Sequence, residues 1–248
     1  MTGDRILMIP GVTTPDPEIS LDWPAPRAAR GRLEALLPID VFRWPALRGE
    51  VSADTVDDLV DRFAAAIKPG HHAVDVSGTA GELLLSALTR RPAKSLTLVG
   101  FFPSPATLAA LGLGEHAPIM GAAYAIAANP AQILAVSWPG LGDEELARIV
   151  GQIEAGLDKA ALTRILAEVA RTNFADRIRV TIPTLYLPTP LPIPKDLGLE
   201  VLPRYVSDLR TGALSASGLG MGDEASGYEL ADRIVEFITE VMESTEQA

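Results

Sequence analysis

The sequence predicts an α/β domain, a mainly parallel sheet flanked by helices, with an inserted helical lid. Short apolar runs alternate with longer stretches of helical period, the pattern of strands buried on both faces between crossover helices. The alternation stops over residues 105–176, where Ala/Leu/Ile-rich segments without a good strand are broken by Gly112, Gly114, Asn129-Pro130 and Pro139-Gly140. It resumes at residues 183–188. The division expected is a core of residues 1–103 and 177–248 with a lid of residues 104–176.

Each element has a local reason. Residues 5–10 read as a buried strand ending at Gly11, 39–44 as a second, partly alternating strand, and 26–37 as a helix between them. Ser52 and Asp54 can cap a helix over 55–67, whose Val56, Leu59, Val60, Phe63 and Ile67 recur at i, i+3, i+4 before Pro69-Gly70 stops it. Residues 73–76 form a short strand, 81–91 a helix and 95–100 another strand. After the strand at 183–188 come a proline-rich loop to Pro194, a strand near 199–202 and a last helix over 226–242. No repeat with a period of roughly 20 to 50 residues interrupts this order.

Composition narrows the function. A chain of 248 residues can bury about 70% of its unfolded surface, so one sizeable core is expected. The absence of cysteine excludes disulfides, thiolate metal sites and a cysteine nucleophile, and fits a cytoplasmic address. A net charge of −11 without a Lys/Arg cluster repels phosphate, so neither nucleic acid nor an anionic membrane is expected as a partner. The apolar run at 6–10 is too brief for a signal segment or a membrane span. A monomer or homodimer acting on a small apolar organic molecule is the expectation.

The most informative stretch is Val74-Asp75-Val76-Ser77-Gly78-Thr79-Ala80-Gly81, where a strand turns into a helix through small residues. Such a turn pushes its central side chain, Ser77, out above the sheet. The Gly78 N–H then faces the helix N-terminus, where free donors and the helix dipole favour an oxyanion.

In this order of elements the chain resembles the α/β-hydrolase superfamily. The likeness is carried by Ile9-Pro10-Gly11-Val12 after the first strand, and by Asp75-Val76-Ser77-Gly78-Thr79 in place of Gly-x-Ser-x-Gly. The segments 90–100, 178–187 and 218–237 extend it over nearly the whole chain. The resemblance implies Ser77 as nucleophile and the N–H groups of Val12 and Gly78, next to Gly11, as oxyanion donors. The departures are equally specific. Where the family has its acid, the loop after 184–187 carries prolines and no carboxylate from Pro188 to Pro194. Where it has Gly-x-Gly-His, Gly218-Leu219-Gly220 is followed by Met221, and no histidine follows His116. A serine hydroxyl needs an adjacent base to become nucleophilic, so a triad lacks two of its three parts.

The candidate catalytic residues are therefore Ser77, Asp75, on the same side of the strand two residues earlier, and His116, from the lid. Gly11, Val12, Gly78, Tyr124, Trp138 and Met221 are expected to contact oxyanion or substrate. His71 and His72 fall at the far end of the strand from Ser77. Glu82, in the first helical turn, reads as a carboxylate placed there by the dipole. The run Asp143-Glu144-Glu145 reads as a helix N-terminus, no metal site is expected, and the glycine patterns at 112–114 and 218–222 lack the strand and helix that a dinucleotide fingerprint requires.

These features point to an enzyme that needs no cofactor and promotes elimination, cyclisation or rearrangement of a small or medium acyl or polyketide-like molecule under an apolar lid. An esterase or thioesterase using Ser77 with a relocated base, and a catalytically silent binding protein, are the alternatives.

Overall fold

The computed structural model describes residues 3–11, 24–49, 53, 55–76, 78–137, 142–188, 197–215 and 224–246. Six parallel strands form one sheet in the order β2-β1-β3-β4-β5-β6. They are β1 Arg5–Ile9, β2 Ile39–Val41, β3 His71–Asp75, β4 Ser95–Val99, β5 Thr184–Leu187 and β6 Leu209–Thr211. Helices α1 (Pro24–Leu36), α2 (Val56–Ala66) and α3 (Gly81–Arg90) link the first four strands. Between β4 and β5 come α4 (Pro105–Ala110), α5 (Ala117–Ala127), α6 (Pro130–Ser137), α7 (Asp143–Gly156) and α8 (Lys159–Arg171). The short α9 (Leu197–Val201) precedes β6, and α10 (Glu224–Glu246) follows it.

The pleat sorts side chains to the two faces. Ile6, Val74, Val99, Leu185 and Leu187 pack with α1 and α10 through Leu33, Ile234, Phe237 and Ile238. Leu7, Ile9, Ala73, Leu96, Leu98 and Tyr186 form the other core, with Phe63 of α2, Leu83 and Leu84 of α3, and Ile153, Leu162 and Leu166 of the insertion. The helical insertion therefore shares a core with the sheet. Among the described residues no helix is long and apolar enough to cross a membrane.

Three expectations change at their edges. Strand β2 stops at Val41 rather than continuing to residue 44, because Trp44 turns inward, donates from Nε1 to the Pro10 carbonyl (2.9 Å) and stands edge-on to Phe42 and Phe63. The N-cap of α2 is Thr55, which closes a capping box with Asp58, whereas Ser52 and Asp54 lie outside the described residues. The strand expected near 199–202 is helix α9. Leu197, Leu199 and Val201 alternate as strand residues do, but only the four-apart pair Leu197 and Val201 is buried while Leu199 is 47% exposed, as on a helix. The sheet ends instead on β6, three residues long, which alternation did not reveal.

This topology sets a crevice. The chain steps outward from β1 to β2, then returns to place β3 on the other side of β1. Connections leaving the carboxyl ends of β1 and β3 therefore diverge, which is where open α/β sheets bind ligands.

Candidate functional site

At that edge β1 runs into Pro10-Gly11 and β3 into Val76, with Ile9 opposite Asp75 in register and the Val76 N–H donating to the Ile9 carbonyl (3.2 Å). Asp75 is fully buried. The turn that follows is left-handed at Gly78, with φ of +69°, and its carbonyl accepts from the N–H groups of Gly81 (3.4 Å) and Phe102 (3.1 Å). A Cβ on Gly78 would come 2.9 Å from the Phe102 ring and 3.1 Å from the Gly100 carbonyl carbon. Helix α3 begins at Gly81, three residues beyond Gly78. The loop after β4 thus leans directly on the elbow.

Tyr124 of α5 reaches the same loop, donating its hydroxyl to the Phe102 carbonyl (3.1 Å). Its phenol titrates well above the ordinary range because it is buried, with the Glu82 and Asp75 carboxyls adding to the shift. A neutral phenol at neutral pH is the result.

Glu82, on the first turn of α3, is 1% exposed. Its Oε2 accepts the Ser104 N–H (2.7 Å), and burial pushes its carboxyl up to about 8 against the opposing hydrogen bonds of Ser104, Thr107 and Tyr205. The sequence reading of Glu82 as a first-turn carboxylate placed there by the dipole missed this burial. The available signal was the helix itself, GELLLSALTR, which is buried all round from Gly81 to Leu88 and leaves Glu82 no polar face.

The structure brings Asp75, Gly78 and Tyr124 together around the Phe102 loop, with Gly11 on the same sheet edge. His116 closes a 3-10 turn, Gly114–His116, with Nε2 3.6 Å from Glu115 Oε1 and no hydrogen bond to Asp75, Gly78 or Tyr124. His71 and His72 lie at the amino end of β3; His71 accepts the Lys68 N–H on Nδ1 (3.1 Å) and donates from Nε2 to Asp40 (3.0 Å). Ser77, Val12, Trp138 and Met221 lie outside the described residues. Among the described residues no group of three or more His, Cys, Asp or Glu could hold a metal ion.

Solved structures share the fold over most of the chain. The N-formylmaleamic acid deformylase Nfo from Pseudomonas putida is 15% identical with a TM-score of 0.61, covering 94% of this chain and 92% of that one. A bromoperoxidase from Bacillus anthracis is 11% identical with a TM-score of 0.63, covering 96% and 92%. The NocB thioesterase domain from the nocardicin cluster is 14% identical with a TM-score of 0.56, covering 96% and 95%. The fold is that of the α/β-hydrolases. No protein-family model and no curated protein sequence matches the chain.

In an α/β-hydrolase the strand-turn-helix elbow presents the nucleophile at its apex. Among the described residues of this turn Gly78 takes the left-handed backbone, and Phe102 occupies the space that a side chain there would need. Gly78→Ala is expected to lower stability by about 1–3 kcal/mol, from the positive φ and the clash. Thermal melts check this, and truncating Phe102 to alanine in the same background should recover part of the loss.

Proposed function

We propose that the protein is an α/β-hydrolase-fold enzyme that works without an acyl-serine intermediate. It promotes elimination, cyclisation or rearrangement of a small or medium, largely apolar acyl or polyketide-like molecule at the carboxyl edge of β1 and β3, with the helical insertion as its lid. The observation that carries this reading is the pair of departures in the sequence, no carboxylate from Pro188 to Pro194 and no histidine after His116. A serine hydroxyl needs an adjacent base before it can attack, and neither group stands at its usual place to activate Ser77. What remains is shape, backbone N–H donors, and proton handling by Asp75 and Tyr124. Ser77, Gly11, Val12, Trp138 and Met221 serve as substrate contacts in this reading. The net charge of −11 disfavours an anionic substrate.

A fluorophosphonate probe tests it. The expected result is no labelling at Ser77, and only a moderate loss of turnover in Ser77→Ala. Stoichiometric labelling of Ser77, with turnover abolished by the same substitution, would overturn the proposal in favour of an esterase or thioesterase. A library compound that raises the Tm while no product forms from any member would leave a binding protein instead.

A further inference from the structure

The buried carboxyl of Glu82 is not needed for that chemistry, and it sits where the insertion is joined to the core. The outgoing connection, 102–107, and the returning one, 172–174, meet over it. Glu82 Oε2 accepts the Ser104 N–H (2.7 Å); Ser104 Oγ donates to the Thr172 carbonyl (2.7 Å) and accepts the Thr107 N–H (3.0 Å). Thr107 Oγ1 accepts the Phe174 N–H (2.9 Å). Both connections thus hang on one short chain of hydrogen bonds that begins at the carboxyl. The buried Tyr205 hydroxyl and the Glu82 carboxyl interact beside this chain.

Among the described residues no cation pairs with Glu82. The titratable groups that interact with it are Tyr124 from α5, which also feels Asp75 from β3, and Tyr205 from the turn after α9. Arg204 acts on Tyr205, and its guanidinium donates to the Leu111 carbonyl. A neutral carboxyl is tolerated among such neighbours, but a buried carboxylate facing no cation requires water.

We propose that Glu82 is a proton-operated latch on the helical insertion: in its neutral form it closes the seam between residues 102–107 and 172–174, and its ionisation opens that seam beside the site edge. Any opening that hydrates Glu82 releases its proton, so alkali favours the open form. The latch regulates access and holds whatever reaction the edge performs.

Hydrogen–deuterium exchange of the full chain, corrected for intrinsic rates, tests it at pH 6, 7 and 8. With the carboxyl at about 8 when closed and at the ordinary 4.5 when hydrated, the opening constant should rise about fiftyfold from pH 6 to pH 8 in peptides covering 102–108 and 172–175. Peptides from β1 and β3 should hold their protection. In Glu82→Gln the same peptides should change less than about twofold. An equal pH response in both proteins, or a response spread evenly over the whole chain, overturns the latch. The wild-type profile decides alone if the variant does not fold, because a pH response missing from both segments overturns it too.

Discussion

Glu82→Gln is expected to stabilise the folded chain by roughly 3 kcal/mol at pH 7 and to flatten its alkaline limb. The carboxyl has an ordinary value of 4.5 when unfolded and about 8 when folded, where burial dominates. A raised folded value means that the unfolded chain gives up this proton first. Stability is then full below pH 4.5, falls as pH rises and levels off above 8, at about 1.4 kcal/mol for each pH unit crossed. By pH 7 the loss is roughly 3 kcal/mol. Glutamine keeps an oxygen for the Ser104 N–H, offers donors towards the Tyr205 hydroxyl and has no proton to lose. Urea melts of both proteins at pH 5, 7 and 8 check this. Curves that run parallel across the window would show that Glu82 does not titrate there.

At the other end of the sheet the sign reverses. His72 is fully buried in β3, opposite Ser95 of β4, with Nδ1 2.8 Å from the Ser95 hydroxyl oxygen. Its Nε2 makes no hydrogen bond and lies 4.0 Å from Asp4 Oδ2, a carboxylate already engaged by Lys94 (2.6 Å). Burial pulls the imidazole down from 6.5 to about 4, against the attraction of Asp4. The unfolded chain takes up this proton first, so stability is full above pH 6.5 and falls as pH drops towards 4, by roughly 3 kcal/mol. His72→Gln is expected to lose most of that acid slope, whatever its stability at pH 7. His71, also lowered by burial, titrates in both proteins and cancels in the comparison. Identical acid limbs in denaturant melts would remove His72 from the account.

These two groups show how far a sequence can be read. Strands β1, β3, β4 and β5 and helices α2 and α3 were legible because a strand covered on both faces shows as a short, largely apolar stretch between turn residues. Their helices carry an equally plain apolar stripe at three- and four-residue spacing. Strand β6 was not legible: three half-exposed residues leave too short a pattern. Helix α9 was misread because five residues are too few to separate period two from period 3.6.

The candidate site divides in the same way. The strand, the tight small-residue turn and the missing acid and histidine are facts of local order, and the chain states them on its own. Which residue of that turn takes the left-handed backbone, that Phe102 fills the space above it, and that Glu82 is sealed among Ser104, Thr107 and Tyr205 depend on segments far apart in sequence. Only the closed sheet and the packed insertion bring those segments together, because local periodicity shows which face of an element is apolar but not what will press against it.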